Sequence, residues 1–214
     1  MVPPPATAAE RPRRADARRN RERLLAVAAE VFAEQGLDVG VAEISRRSGV
    51  GSATLFRNFP TKDDLVNAVL EQRLAEVEGL LDDAGEVADP WEALVGFMRG
   101  FAQVQSRDRA LLEAFAEVFA TMPAEQLEAH FARFATGMDA LLRRAQAAGA
   151  VRDDLVAEDV KALVCGAAGM AVSVDPTRPE LADRYLGLIL DGMRPGGATP
   201  LPVGPPAPHL PRCG

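Results

Sequence analysis

The positions of the prolines divide this chain into segments. Proline lacks a backbone N–H and its ring clashes with the preceding helical turn, so it is excluded from helix interiors. Four of the 16 prolines lie in residues 3–12 and seven in residues 195–214, and we expect both ends to lack packed structure. The other prolines fall between stretches of helical apolar spacing and mark predicted helix boundaries, at 60, 90, 123, 176 and 179.

Between those ends, apolar residues recur with the period of amphipathic helices. Leu24, Ala28, Val31 and Phe32, for example, share one face and predict a helix over 16–35. No strand-period alternation has useful length, and alanine and leucine dominate the composition, so the fold class is predicted to be all-α. Further helices are predicted over 41–48, 52–59, 62–81, from 90 onward, 108–121, 124–148, 157–174 and 179–193.

Local signals support several of these helix ends. Gly36, Gly49 and Gly149 follow apolar-periodic segments and are predicted to end helices. Thr61 with Asp64 three residues later predicts an aspartate version of the capping box. The dipeptide 89–90, Asp-Pro, is the N-cap and first position of another helix.

Composition excludes several classes of protein. No apolar run reaches the ~20 residues that a membrane span needs, and the N-terminus has no apolar stretch typical of a secretory signal. Two cysteines do not make a disulfide framework, so we expect Cys165 to be a buried thiol and Cys213 to be dispensable. These features predict a cytoplasmic protein with no membrane partner.

Charge is distributed unevenly along the chain. The net charge is -7, yet residues 11–62 carry eleven Lys and Arg against six Asp and Glu, a balance of +5. The remainder carries 13 basic and 25 acidic residues, a balance of -12. A basic N-terminal quarter on an acidic body indicates a nucleic-acid contact at that end.

Residues 41–59 have the outline of a helix-turn-helix: a short helix, a turn with Gly49, and a second short helix that would enter the major groove. Ile44, Val50 and Leu55 supply the small core that sets the angle between the helices. We predict that eight residues contact DNA: Ser52, Ala53, Thr54, Phe56, Arg57, Asn58, Thr61 and Lys62.

Each of these side chains has a chemical reason to be there. Arg57 can donate two hydrogen bonds to a guanine, and Asn58 can pair with an adenine. Thr54 and Thr61 can bind phosphates, and Lys62 adds a positive charge in the first turn of the next helix. The seven arginines of residues 11–23 would serve as a phosphate or minor-groove arm beside this motif.

The stretch VAEISRRSGVGSATLFRNFPTKDDLVNAV, residues 41–69, resembles the DNA-binding signature of the tetracycline-repressor (TetR) family. The resemblance begins near Arg21, and the phrase GAVRDDLVAEDVKALVCG, residues 149–166, is similar to a later segment of many members. It implies an N-terminal three-helix helix-turn-helix DNA-binding head followed by a C-terminal helical ligand-binding and dimerisation domain.

Three positions depart from the family pattern. Tyrosine is usual where Phe56 stands, and phenylalanine lacks the hydroxyl that would contact a phosphate. Threonine commonly caps the helix that follows Gly40, and glycine has no side-chain oxygen to do so. Alanine is usual where Ser45 stands, and we expect this small change to be silent.

The segment from residue 90 to 194 is predicted to form the sensor. Its large apolar side chains form either plain core or the lining of a pocket for an unknown small apolar or amphipathic ligand. Trp91 is interpreted as a packing anchor and His130 as a half-exposed surface residue. The predicted ligand-binding residues are Phe97, Phe101, Phe115, Phe119, Phe134, Met138 and Met170.

The last two predicted helices have the composition of an interface. The helix over 157–174 contains small residues that allow close approach, and the helix over 179–193 carries an apolar stripe that includes Tyr185 and Leu188. They either pack internally or build a four-helix homodimer interface, which the resemblance favours. A two-fold dimer implies a pseudo-palindromic operator in double-stranded DNA.

These observations predict four segments: a disordered basic arm over 1–15, the DNA-binding domain over 16–62, the ligand-binding and dimerisation domain over 63–194, and a disordered proline-rich tail over 195–214. We find no metal-ligand spacing, phosphate-binding glycine loop or nucleophile elbow, so we expect no metal, no cofactor and no enzyme activity. The favoured function is a ligand-released repressor. The alternatives are an activator or ligand-independent regulator of the same fold, and a protein-interaction module.

Overall fold

The computed structural model describes residues 10–107, 124–178, 180–196 and 198–205. Within these ranges the chain is entirely helical apart from its connections, with no strand, which confirms the predicted fold class. The helices are α1 (Glu10–Gln35), α2 (Val41–Ser48), α3 (Ser52–Asn58), α4 (Lys62–Glu86), α5 (Pro90–Arg107), α6 (Ala124–Ala147), α7 (Ala157–Val174) and α8 (Leu181–Met193).

Most observed helix bounds lie within two residues of the predicted ones. Two helices are longer than predicted. The first, α1, begins at Glu10, so residues 10–15 of the predicted disordered arm are helical. The second, α4, continues to Glu86 rather than residue 81, and Ala84 in its last turn is buried. The helix predicted over 108–121 lies outside the described residues.

The chain divides into two compact units with their boundary between Glu71 and Gln72. In the first unit, α1 packs against α2 and α3, and α2 packs against α3. The predicted boundary lay after residue 62. Residues 63–71 fall within the first unit, and the beginning of α4 buries apolar side chains there. The side chains below 2% exposure in this unit include Leu24, Phe32, Ile44, Leu55, Leu65 and Leu70.

In the second unit, α5 is the central helix. It packs against α6, α7 and α8, and α7 also contacts α6 and α8. The core between these helices is apolar, and Val77, Leu81 and Ala84 of α4 belong to it. The start of α5 is capped as predicted, because Asp89 Oδ1 accepts hydrogen bonds from the backbone N–H groups of Trp91 and Glu92 at 2.8 and 2.9 Å.

The segment after α8 forms neither helix nor strand where it is described, but it makes specific contacts. The guanidinium of Arg152 donates a 2.6 Å hydrogen bond to the carbonyl oxygen of Thr199. Arg194 lies 3.5 Å above the ring of Trp91, in agreement with the predicted role of that tryptophan as a packing anchor. None of the helices described is both long and apolar enough to cross a bilayer.

Candidate functional site

The connection between α2 and α3 is held by a glycine and two serines. Gly49 has φ of +67°, a left-handed conformation that costs glycine little and other residues more. The hydroxyl of Ser48 donates to the carbonyl of Ser45 at 3.1 Å and accepts from the backbone N–H of Val50 at 3.2 Å. The turn therefore has its polar groups satisfied by side chains of α2.

Ser45, which we expected to be a silent substitution, makes specific contacts through its hydroxyl. Its side chain is buried, and its hydroxyl donates a 2.6 Å hydrogen bond to the carbonyl oxygen of Val50. The hydroxyl oxygen of Ser45 also lies 3.2 Å from the hydroxyl oxygen of Ser52, the first residue of α3. Alanine could make neither contact, so Ser45 links α2 directly to the turn and to the start of α3.

The helix α3 buries one side and exposes the other. Leu55 and Phe59 are 1% and 2% exposed and anchor α3 in the core of its unit. Of the eight predicted DNA-contacting residues, five are exposed and three are half-buried, so all eight reach the surface. The exposed ones are Ser52, Ala53, Phe56, Arg57 and Thr61, and the half-buried ones are Thr54, Asn58 and Lys62.

Hydrogen bonds within α3 orient two of these side chains. Arg57 donates to the hydroxyl of Thr54 at 2.9 Å, and the amide of Asn58 donates to the backbone carbonyl of Thr54 at 2.7 Å. One N–H of the Asn58 amide is thus engaged with its own helix, and an amide has a second N–H and a carbonyl oxygen with which to pair with an adenine. Arg57 keeps further guanidinium N–H groups for an acceptor on DNA.

Thr61 and Lys62 stand at the junction from α3 to α4. The capping box that the sequence predicts is present: Thr61 Oγ1 accepts from the backbone N–H of Asp64 at 3.1 Å, and Asp64 Oδ2 accepts from the backbone N–H of Thr61 at 2.9 Å. This cap begins α4 at Lys62, which places a cation beside the positive end of that helix, where both favour an anion.

Several basic residues of the first unit have structural partners. The guanidinium of Arg21 lies 4.7 Å from the centre of the buried Phe59 ring. Arg47 pairs with Glu34 of α1 at 2.7 Å. Arg46 forms a two-pronged pair with Glu43, and this hydrogen bonding lowers the pKa of the Glu43 carboxyl. The sequence patterns did not show the partners of Arg21 and Arg47, because Phe59 and Glu34 lie on other segments of the chain.

An aromatic cluster lies at the core of the second unit. The rings of Phe97 and Phe101 on α5 are stacked with centres 5.7 Å apart. Phe134 of α6 lies 5.4 Å from Phe101 and 6.2 Å from Phe97, at tilted angles. Three predicted ligand-binding residues thus form one cluster, and Met138, one turn after Phe134, is fully buried in the same core.

The other predicted ligand-binding residues are not brought to this cluster. Met170 of α7 is 55% exposed and lies outside the packed core of the described residues. Phe115 and Phe119 fall outside the residues that the structure describes. The patterns also missed Gln105, which is 9% exposed and donates to Cys165 Sγ at 3.1 Å. The sequence did contain a sign of this residue, because Gln105 is a polar residue one turn after Phe101 on the apolar face of the same helix.

Polar contacts also join α4 to α6. Nδ1 of His130 lies 2.6 Å from a carboxylate oxygen of Glu78, and Arg133 pairs with Asp82 at 2.9 Å. His130 is partly exposed, as the sequence suggested, but it is engaged in an interhelical contact. No group of three or more His, Cys, Asp or Glu side chains in the described ranges is arranged to hold a metal ion.

The neighbouring helices α7 and α8 expose apolar side chains. Met170 and Val174 on α7 are 55% and 60% exposed, and Leu188 on α8 is 67% exposed. Gly166 and Gly169 are exposed on the same helix as Met170 and offer no side chain that would keep another helix away. A surface of this kind is typical of a contact with another polypeptide.

Two family models match the chain. The model for bacterial regulatory proteins of the tetR family matches residues 24–69, and the model for the C-terminal domain of SbtR-like transcriptional regulators matches residues 89–195. Among curated relatives, the HTH-type transcriptional regulator LuxR of Vibrio harveyi is 38% identical over 77 residues, which are 35% of this chain and 38% of that protein. The chain therefore spans little more than a third of the curated relatives that it matches.

Solved structures extend the similarity over most of the chain. The TetR transcriptional regulator SCO0520 from Streptomyces coelicolor is 32% identical, with a TM-score of 0.66, over 82% of this chain and 98% of that one. A TetR regulatory protein from Mycobacterium vanbaalenii is 35% identical, with a TM-score of 0.64, over 85% of this chain and 98% of that one. The chain belongs to the TetR family of DNA-binding bacterial transcriptional regulators.

Proposed function

We propose that this regulator is a homodimeric, ligand-responsive repressor that binds a pseudo-palindromic operator. The observation that carries the DNA-reading part is the exposed side of α3, where Arg57, Phe56 and Ala53 are free of the core while Leu55 and Phe59 anchor the helix. Small and base-reading side chains on one exposed side suit close approach to base edges in the major groove.

The homodimer is supported by the exposed apolar side chains of α7 and α8. Two such helices from each subunit form a four-helix contact, and the small residues of α7 allow close approach. A two-fold contact repeats the same surface on both subunits, so the two copies of α3 are related by the same axis. The operator is then two inverted half-sites about one helical turn, or a multiple of it, apart.

The ligand-responsive part is supported by the aromatic cluster of the second unit. An effector that binds one conformation of the dimer more tightly than another shifts the population toward the first, in proportion to its differential affinity. In a repressor, the effector favours a conformation whose two α3 helices no longer match the half-site spacing. An activator differs only in where its operator lies, and it is the second candidate. We place this function in the cytoplasm, where the DNA is.

The first test is binding of the purified chain to the duplex that flanks its own coding region, against a scrambled duplex, over a salt series. A preference of about 10³-fold or more for the native duplex is expected. Arg57→Ala should remove most of that preference while the residual affinity keeps its dependence on salt. Arg143→Ala, an exposed change on α6, is the control that leaves operator binding unaltered.

Two outcomes would contradict the proposal. A folded dimer that binds neither duplex at low salt would favour a protein-interaction module instead. Equal binding to every duplex tried, including a library of randomised sequences, would show a basic surface that does not read bases.

A further inference from the structure

One polar side chain lies on the buried face of α5. Gln105 is 9% exposed and, among the described residues of the second unit, it is the buried polar side chain in an otherwise apolar core. It follows Phe101 by four residues and Phe97 by eight, so the three share one face of the helix. Along this face of α5, two aromatic rings are thus followed by the amide of Gln105.

The amide of Gln105 has a weak partner. Its nitrogen donates to the Sγ of Cys165 on α7 at 3.1 Å, and a thiol sulfur is a poor hydrogen-bond acceptor. The hydroxyl of Ser106, one residue later, is enclosed and finds no hydrogen-bond partner among the residues that the structure describes. Buried polar groups are normally satisfied by good partners, so the last turn of α5 holds unused hydrogen-bonding capacity.

The aromatic cluster that begins one turn before this amide is incompletely covered. Phe134 packs against Phe101 at 5.4 Å, yet Phe134 and Cys165 are only partly buried. Flat apolar surface next to one convergent polar group is the usual composition of a small-molecule site. A molecule bound there would cover the exposed part of Phe134 and meet the amide of Gln105.

The charge of such a molecule is limited by the surrounding side chains. No ionised side chain is buried in the described part of this core, and an unpaired charge is costly to bury. Glutamine, by contrast, can donate to a neutral carbonyl or hydroxyl oxygen without any change of charge. The site therefore favours an uncharged molecule.

We propose that Gln105 is the polar contact of the effector site, and that the effector is an uncharged molecule with a flat apolar body and a carbonyl or hydroxyl oxygen. The apolar body packs on Phe101 and Phe134. The oxygen accepts the Gln105 amide hydrogen bond in place of Cys165. This inference rests on the ligand-responsive part of the proposed function and adds the chemical class of the ligand.

The test uses three probes of similar size on the full chain carrying Cys213→Ser: 4-phenylbutan-2-one, butylbenzene and 3-phenylpropanoate. Affinity is taken from the rise in melting temperature with probe concentration. The ketone should bind about five- to tenfold more tightly than butylbenzene, because it gains one hydrogen bond, and the carboxylate should bind most weakly. Bound ketone should also slow alkylation of Cys165 by N-ethylmaleimide.

Two variants locate the effect on one side chain. Gln105→Leu should bring the ketone and butylbenzene to equal affinity. Gln103→Leu, on the exposed side of the same helix, should leave the five- to tenfold difference intact. A ketone advantage that persists in Gln105→Leu would overturn the proposal, as would tightest binding of the carboxylate or no binding of any probe. Operator binding is measured in parallel on the same preparation. If operator binding is specific while the probe results contradict the proposed site, only the effector site is overturned and the DNA-binding function is not.

Discussion

Single side chains set the geometry of the first unit. Ser45 sits where alanine is usual in the family, and only its buried hydrogen bond to the Val50 carbonyl shows what the hydroxyl does. Arg21 and Phe59, which are far apart in sequence, meet as a cation and a ring. Both contacts stabilise α3 in its position without themselves being part of its exposed side.

Removal of the Ser45 hydroxyl should destabilise the first unit. Ser45→Ala leaves the Val50 carbonyl without this donor, which costs about 1–2 kcal/mol for a buried group. Urea unfolding should show a lower midpoint with an unchanged slope. Ser173→Ala, an exposed change on α7, is the matched control and should have no such effect. Equal stability of Ser45→Ala and the parent would show that the hydroxyl contributes nothing.

Phe56 is exposed on α3 and has no polar atom to give to a phosphate. Phe56→Tyr should therefore tighten operator binding by about five- to tenfold, the value of one added hydrogen bond. Phe56→Ala should weaken it, because apolar contact is lost. Fluorescence anisotropy on the native duplex measures both. Tyrosine with no gain in affinity would indicate that this position does not face a phosphate.

At the scale of the helices, polar contacts set where α4 ends. Arg144 of α6 donates to the backbone carbonyls of Ala84, Gly85 and Val87 at 2.9–3.2 Å. The carbonyls of Ala84 and Gly85 belong to the last turn of α4, where a helix offers acceptors that its own backbone does not fully satisfy, and Val87 follows directly after the helix. A cation there also opposes the negative end of the helix dipole. Arg144 therefore caps the C-terminal end of α4 and links α4 to α6.

Arg144→Ala should cost about 1–3 kcal/mol of unfolding free energy, because several carbonyls lose a charged donor. Arg143→Ala, at the neighbouring position, removes only an exposed pair with Asp139 and should cost under about 1 kcal/mol. Thermal and urea unfolding of the two variants side by side measure the difference. Equal losses would mean that the three contacts of Arg144 do not stabilise the end of α4.

At the scale of the whole molecule, the proposed two-fold contact can be broken by charge. Leu188→Glu places a carboxylate on the exposed apolar surface of α8 and, in a symmetric dimer, does so twice. The dimer dissociation constant should rise at least about 100-fold in sedimentation experiments, with operator affinity falling in parallel. Val203→Asp, an equally exposed apolar position outside these helices, is the control. A Leu188→Glu chain that remains dimeric would place the contact elsewhere.

The helix positions and the family could be predicted from the sequence because the signals for them are local. Apolar period, proline, glycine and capping residues act over a few neighbouring positions, and α2 and α7 have the predicted bounds. The motif in residues 41–69 indicated the TetR family, and the match of a family model over residues 24–69 confirms it. Local signals were weaker at the start of α1 and at the end of α4. Both helices continue past the segment in which apolar residues recur with helical period.

The sequence by itself determined that this chain is all-helical and that the segment typical of the TetR family comes first, and it predicted that α3 carries the base-reading side chains. Only the tertiary structure decided which polar residues are buried and what they meet. Gln105 and Cys165 are 60 positions apart, as are Arg144 and Ala84, and Met170 shows its exposure only when its neighbours are folded around it. Helical period arises from the backbone within one turn, whereas burial and hydrogen-bond partners arise from the packing of distant helices.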